Sequence, residues 1–166
     1  MLFAEYNSAS AADKPNTTLM KIKKAILALK DPATHPSQLI GRPDVAADIT
    51  SDINNNRLPP GSTLVSRYDD FVWVHHQVMM QGPNDPFGPN VAHRGPAFCP
   101  WHRELLRFYE QELAAAAGDP DLTLPYWDWT NDRSSADPGF PFTVDFLGGD
   151  GAGHPNDMVT TGAFSQ

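Results

Sequence analysis

Apolar residues recur at helical spacing in three stretches of the chain. Leu19, Ile22, Ile26 and Leu29 follow a period of three to four residues, Asn16 offers an N-cap, and Asp31-Pro32 closes the stretch, predicting one amphipathic helix. A second helix is predicted from about Thr63 to Met80. At roughly 100° per residue, Leu64, Tyr68, Phe71, Val72, His75, Val78 and Met79 share a sector of about 120°, with His75 near its middle and His76 on its edge. A third helix is expected to begin near Trp101, after Pro100, and to stop at Gly118-Asp119-Pro120. Its apolar face carries His102, Leu105, Leu106, Tyr109, Leu113 and Ala117.

Between these stretches the pattern breaks. From Pro32 to Gly61 the chain is polar and interrupted by Pro36, Pro43 and Pro59-Pro60, with one short helix near Asp44 to Ile53, and it reads as an insertion or wrapping arm. Gln81 to Val91 contains Gly82-Pro83, Asp85-Pro86 and Gly88-Pro89 and is predicted as loop. Beyond Gly118 come Leu122 to Trp129 and a Gly/Pro/Asp-rich tail holding Phe140, Phe142, Phe146 and Phe164. No alternation is long enough to predict a sheet. Proline makes up 16 of 166 residues, about twice the usual ~5%, which suits a few helices joined by long ordered loops.

Composition removes several function classes. A length of 166 residues points to one domain with a core of its own. Twelve Lys and Arg face twenty Asp and Glu, leaving a net charge of −8 with no basic cluster, so nucleic acid and anionic membranes are poor partners. The single cysteine, Cys99, excludes an intrachain disulfide and is expected as a small buried hydrophobe. The longest purely apolar run, Ala25 to Leu29, is far below the ~20 residues a membrane-spanning helix needs. Met1 to Glu5 lacks the look of a signal peptide. The expectation is a soluble protein, cytoplasmic or exported by another device, with its compartment unknown.

Four of the six histidines, His75, His76, His93 and His102, lie within one short region. A single histidine on an apolar face is more often a core residue than a ligand, but here His75 is central on one such face and His102 opens another. Gly95-Pro96 and Pro100 prevent a continuous helix from His93 to His102, so a loop can fold His93 back over the first turn of the third helix. His75 can then approach from the facing helix. Three neutral nitrogen donors without thiolate or carboxylate suit copper or zinc and leave a position open for a small molecule. Spacing does not choose between those metals. His35 and His154 read as solvent-exposed loop residues, Met79 and Met80 as packing, and Trp101, Trp127 and Trp129 as space-filling.

The run from His93 through Phe98, Trp101-His102-Arg103 and on to Glu110 closely resembles the first copper motif of the tyrosinases: His, four residues, Phe, two residues, Trp-His-Arg, and a Glu eight positions past that His. Tyr68-Asp-Asp-Phe-Val-Trp-Val-His75 resembles the stretch supplying the preceding ligand in bacterial members. Leu124-Pro-Tyr-Trp-Asp-Trp129 and Asp145-Phe-Leu-Gly-Gly149 resemble segments that follow in the same order. The resemblance implies that His75, His93 and His102 ligate the first copper of a type-3 dicopper centre, and that catalysis runs through that copper. It implies a phenol oxidase that uses O2 to hydroxylate monophenols at the ortho position, to oxidise catechols to o-quinones, or both. Phenolic small molecules, O2 and a copper-delivery protein are the partners it suggests. The alternatives are a haemocyanin-like O2 carrier or a non-catalytic copper-binding fragment.

The family's second copper motif supplies three more histidines after the Trp-Asp-Trp segment, whereas only His154 follows that segment here. The expectation is that another chain or segment supplies the second copper site and that activity requires it. The expected fold is mainly α, part of a four-helix bundle with long Pro/Gly-rich loops and the metal in the bundle core. Residues 1–62 are read as an N-terminal helix and wrapping arm, and 63–166 as the first-copper half of a tyrosinase-like domain.

Overall fold

A computed structural model describes residues 5, 8–80, 92–93, 95–127, 142–149, 151 and 159–165. Among the described residues a 3-10 turn at Lys14–Asn16 is followed by four α-helices: α1 (Thr18–Lys30), α2 (Pro43–Asn54), α3 (Arg67–Met80) and α4 (Phe98–Ala117). Among the described residues the one β pairing is an isolated antiparallel bridge between Pro36 and Ser66. The protein is thus mainly α. It divides into two compact units, Met1–Leu27 with Leu113–Gln166, and Ala28–Glu112.

In the first unit, α1 buries Leu19, Ile22, Ala25 and Ile26, the stripe predicted from its periodicity. Each large aliphatic removed from water contributes about 1.5–3 kcal/mol. The cap differs from expectation by one residue. Asn16 belongs to the 3-10 turn, and Thr17 takes the N-cap position, its carbonyl accepting from Lys21 N at 3.0 Å. The Glu5 carboxylate then accepts from Thr18 N at 3.2 Å, which satisfies a donor the helix leaves open. At the other end of this unit α4 stops where Gly118 adopts φ +63°. Gly118 N donates to Ala115 O and Asp119 N to Ala114 O, a Schellman closure that glycine makes without strain.

The two tail segments of the first unit cross at Gly148 and Gly162. A Cβ on Gly162 would overlap Gly148 N and the Leu147 carbonyl, and its φ is +78°. Ala163 N donates to Phe146 O at 2.6 Å beside this crossing, and Phe146 is fully buried. Gly162→Ala is therefore expected to cost more than about 2 kcal/mol, combining the left-handed penalty with displaced backbone. Thermal unfolding followed by circular dichroism should fall by at least about 5 °C for a chain of this size.

In the second unit the arm packs on α3. Val45 of α2, Leu64 and Trp73 form a buried cluster, flanked by Leu39, Ile49 and Leu58. Helix α3 begins at Arg67, later than its apolar spacing predicts, because Ser66 and Asp69 build a capping box. Asp69 Oδ2 accepts from Ser66 N at 2.8 Å and Val65 N at 3.0 Å, and Ser66 Oγ accepts from Asp69 N. Helix α4 begins three residues earlier than predicted. Pro100 lies inside its first turn, where a missing N–H costs nothing.

The face that α3 buries also differs from the predicted one. Trp73 and Asp70 are buried, whereas Val72 is 51% and Met79 43% exposed. The arm decides this, by covering the side of α3 that carries Asp70, Trp73 and Gln77. Asp70 accepts there from Ser37 Oγ, from Gln38 N at 2.9 Å and from Arg67 Nη1 at 2.9 Å. No helix among the described residues is long and apolar enough to cross a membrane.

Candidate metal centre

All three predicted ligands lie in the second unit and come together. His75 projects from the middle of α3, His102 from the second turn of α4, and His93 from the loop ahead of α4. Their ring centroids are 5.0 Å (His75 to His93), 5.5 Å (His75 to His102) and 4.9 Å (His93 to His102) apart. One ligating nitrogen from each falls within 4.8 Å of the other two, and all three residues are half-buried. Among the described residues this is the one group of three or more His, Cys, Asp or Glu side chains arranged to hold a metal ion.

Antiparallel packing of α3 on α4 sets the separation. Arg67 Nη2 pairs with Glu112 at 2.8 Å, Tyr68 and Phe71 meet the Tyr109 ring edge-on at 6.3 and 5.2 Å, and His75 meets His102 further along. The Tyr109 hydroxyl is buried without a hydrogen-bond partner among the described residues. Burial, with the Tyr68 hydroxyl adding to it, pushes its pKa well above the usual phenol value. The buried hydroxyl lies toward this end of the helix pair, and the histidines stand at the other.

The donor set fits a metal that favours imidazole. His102 Nδ1 lies 2.8 Å from the Phe98 carbonyl, which can only accept. Nδ1 therefore carries the proton, and Nε2 is the nitrogen left with a lone pair for a metal. Metal–nitrogen bonds of about 2.0–2.1 Å place tetrahedral donors about 3.4 Å apart. The trio must close by about 1 Å or a little more, within reach of side-chain rotation. Phe98 and Trp101 flank it, with ring centroids 4.3 and 4.9 Å from His102 and Trp101 5.8 Å from His75.

Burial first, then the neighbouring His93, His102 and His76, push the His75 pKa below its ordinary 6.5. A neutral imidazole is the form a metal needs. The same shift has a sign for stability: the unfolded chain takes up this proton before the folded one does. Metal-free protein is thus expected to hold its full His75 contribution above about pH 6.5 and to lose it as pH falls through the lowered folded value. Urea midpoints between pH 7.5 and 5 should decrease more steeply for the wild type than for His75→Phe.

Other expectations change. His76, on the edge of the predicted face, points away from the trio: its Nε2 bonds Asp52 Oδ2 at 3.1 Å and its ring stacks on Trp73. Cys99 is exposed rather than buried, as are Phe98 and Pro100 beside it in the first turn of α4. His35 is half-buried, its Nδ1 3.1 Å from Thr34 Oγ1 and its carbonyl accepting from Arg67 N at 2.8 Å. Met79 is exposed, and Trp127 is 39% exposed against Phe142. Trp129 and His154 lie outside the described residues. The sequence reading missed Trp73 and Asp52, although the apolar-polar register Asp70, Trp73, Gln77 carries a helical signal of its own.

A family model described as the common central domain of tyrosinase matches residues 65–166. The chain belongs to the tyrosinase family. It is 36% identical to tyrosinase from Felis catus over 116 residues, covering 68% of this chain and 21% of that protein. It is 39% identical to tyrosinase from Streptomyces lincolnensis over 103 residues, 62% of this chain and 35% of that one. With grixazone synthase from Streptomyces griseus it shares 42% over 101 residues, 60% of this chain and 31% of the relative. This tyrosinase-family chain thus spans between a fifth and about a third of those relatives' lengths. The three histidines, with Phe98, Trp101 and Tyr109, all fall inside the matched residues.

Proposed function

We propose that the chain is the first-copper half of a type-3 copper phenol oxidase, with His75, His93 and His102 holding one copper ion. The convergence of three imidazole nitrogens within 4.8 Å carries this reading. Membership of the tyrosinase family favours copper over zinc, a choice the nitrogen donors alone leave open. When bound as a pair, copper supplies the one-electron steps that let O2 oxidise a phenol. A second set of histidines, from another chain or segment, completes that pair, and residues 63–166 form the part that meets it. A copper-delivery protein is a natural further partner.

The side chains divide the work. His102, with Nδ1 committed to the Phe98 carbonyl, presents Nε2 in one tautomer, so no proton has to move before a metal binds. His75 stays neutral to lower pH than a solvated histidine. Phe98 and Trp101 set aromatic rings beside the histidines, a surface that suits the ring of a monophenol or catechol.

The test is steady quinone formation. Copper-loaded chain completed with a second three-histidine element should turn catechol over continuously, read by quinone absorbance. Reversible O2 uptake with no quinone would instead establish an O2 carrier, and copper binding with neither would leave a non-catalytic binder.

A further inference from the structure

The arm preceding the family-matched residues makes a polar clamp on α3, centred on one buried carboxylate. Asp52 of α2 is 5% exposed. Its Oδ2 receives two consecutive α3 side chains, His76 Nε2 at 3.1 Å and Gln77 Nε2 at 3.2 Å, and its Oδ1 receives Arg57 Nη1 at 3.3 Å. The Asp52 carbonyl also accepts from Arg57 N at 2.8 Å and Leu58 N at 3.3 Å, which holds the acid to its own chain. Trp73, stacked on His76, fills the space beside it against Val45 and Leu64.

Two bonds from neighbouring residues to one oxygen do what a single bond cannot, because together they set the rotation of the helix about its axis. His75 lies between Trp73 and His76 in sequence, and its side chain leaves α3 about 100° from that of His76. An atom about 6 Å from the helix axis moves about 1 Å when the helix turns by about 10°. Metal–ligand distances tolerate only about 0.2 Å. The arm's hydrogen bonds to Asp70 act at the first turn of α3, whereas Asp52 acts on the two residues that follow His75.

We propose that Asp52 is a positioning residue for the metal centre, fixing the rotation of α3 through His76 and Gln77 so that His75 meets His93 and His102. The inference rests on the three-histidine copper reading above. It assigns a role to an arm that lies before the residues matching the tyrosinase central domain, whose match begins at residue 65.

The experiment uses the whole 166-residue chain, loaded with one equivalent of Cu(II) and read by electron paramagnetic resonance and by competitive copper titration. Asp52→Ala should lower copper affinity at least tenfold and change the copper hyperfine splitting, with helical circular dichroism retained. Asp52→Asn, which keeps an acceptor oxygen for His76, should recover most of the wild-type spectrum. Gln77→Met removes one of the two bonds at nearly constant length, and it should shift the spectrum in the same direction by less. It also serves as the test if Asp52→Ala does not fold. Wild-type spectrum and affinity in folded Asp52→Ala, or in Gln77→Met where only that variant folds, would overturn the positioning role alone. Failure of wild-type chain to bind copper, or undiminished binding by His102→Ala, would overturn the copper reading and this inference with it.

Discussion

Replacing His75 or His102 with alanine is expected to lower copper affinity by roughly a hundredfold or more, beyond the 10–100-fold seen when only outer partners of a ligand are removed. Each contributes one of three nitrogens held within 4.8 Å, and no other His, Cys, Asp or Glu among the described residues joins that group. With two imidazoles left, water must complete the coordination, and copper moves readily to competing chelators. His76→Ala should behave differently. Its ring faces Asp52 rather than the trio, so the variant should still take up one ion per chain at saturating copper, with weaker affinity. Metal analysis after dialysis against a weak chelator separates the cases. A His76→Ala chain without copper beside a copper-loaded His75→Ala chain would exchange their assignments.

The second large effect concerns stoichiometry. The 166-residue chain by itself should bind one copper ion and oxidise catechol at no more than about a hundredth of the rate of the completed centre. One copper ion moves one electron, whereas useful reduction of O2 needs two delivered together. His35 and His76 are committed elsewhere, to Thr34 and Asp52. Val72, Leu106 and Phe108, each 51% exposed on α3 and α4, are surfaces a complementary element can cover. Adding a second three-histidine element should raise the copper count to two and restore quinone formation. Vigorous oxidation by monomeric chain with two ions bound would contradict this account, and light scattering would confirm that the active species is a monomer.

Much of the centre was legible because its signals are local. The α1 stripe, the Gly118 stop and the His-Phe-Trp-His spacing each depend on residues within a few turns of one another, where helix period and backbone conformation act directly. Helix starts were less legible. A capping box at Ser66 and Asp69 outranked the apolar spacing that begins at Leu64, and Pro100 was compatible with a first turn that it had been expected to precede.

The sequence by itself determined the identity of the three histidines, their helical or loop settings and the family to which the chain belongs. Only the tertiary structure decided which side of α3 is inside. Periodicity favoured Val72 and Met79, but burial depends on what covers a face, and the arm covers Trp73 and Asp70 instead. That choice places His76 on Asp52, 24 residues away, and turns His75 toward α4. A helical pattern specifies angles around one axis and carries no information about which neighbour lies at each angle. Which histidine of α3 faces His93 and His102 is therefore set by packing between segments distant in sequence.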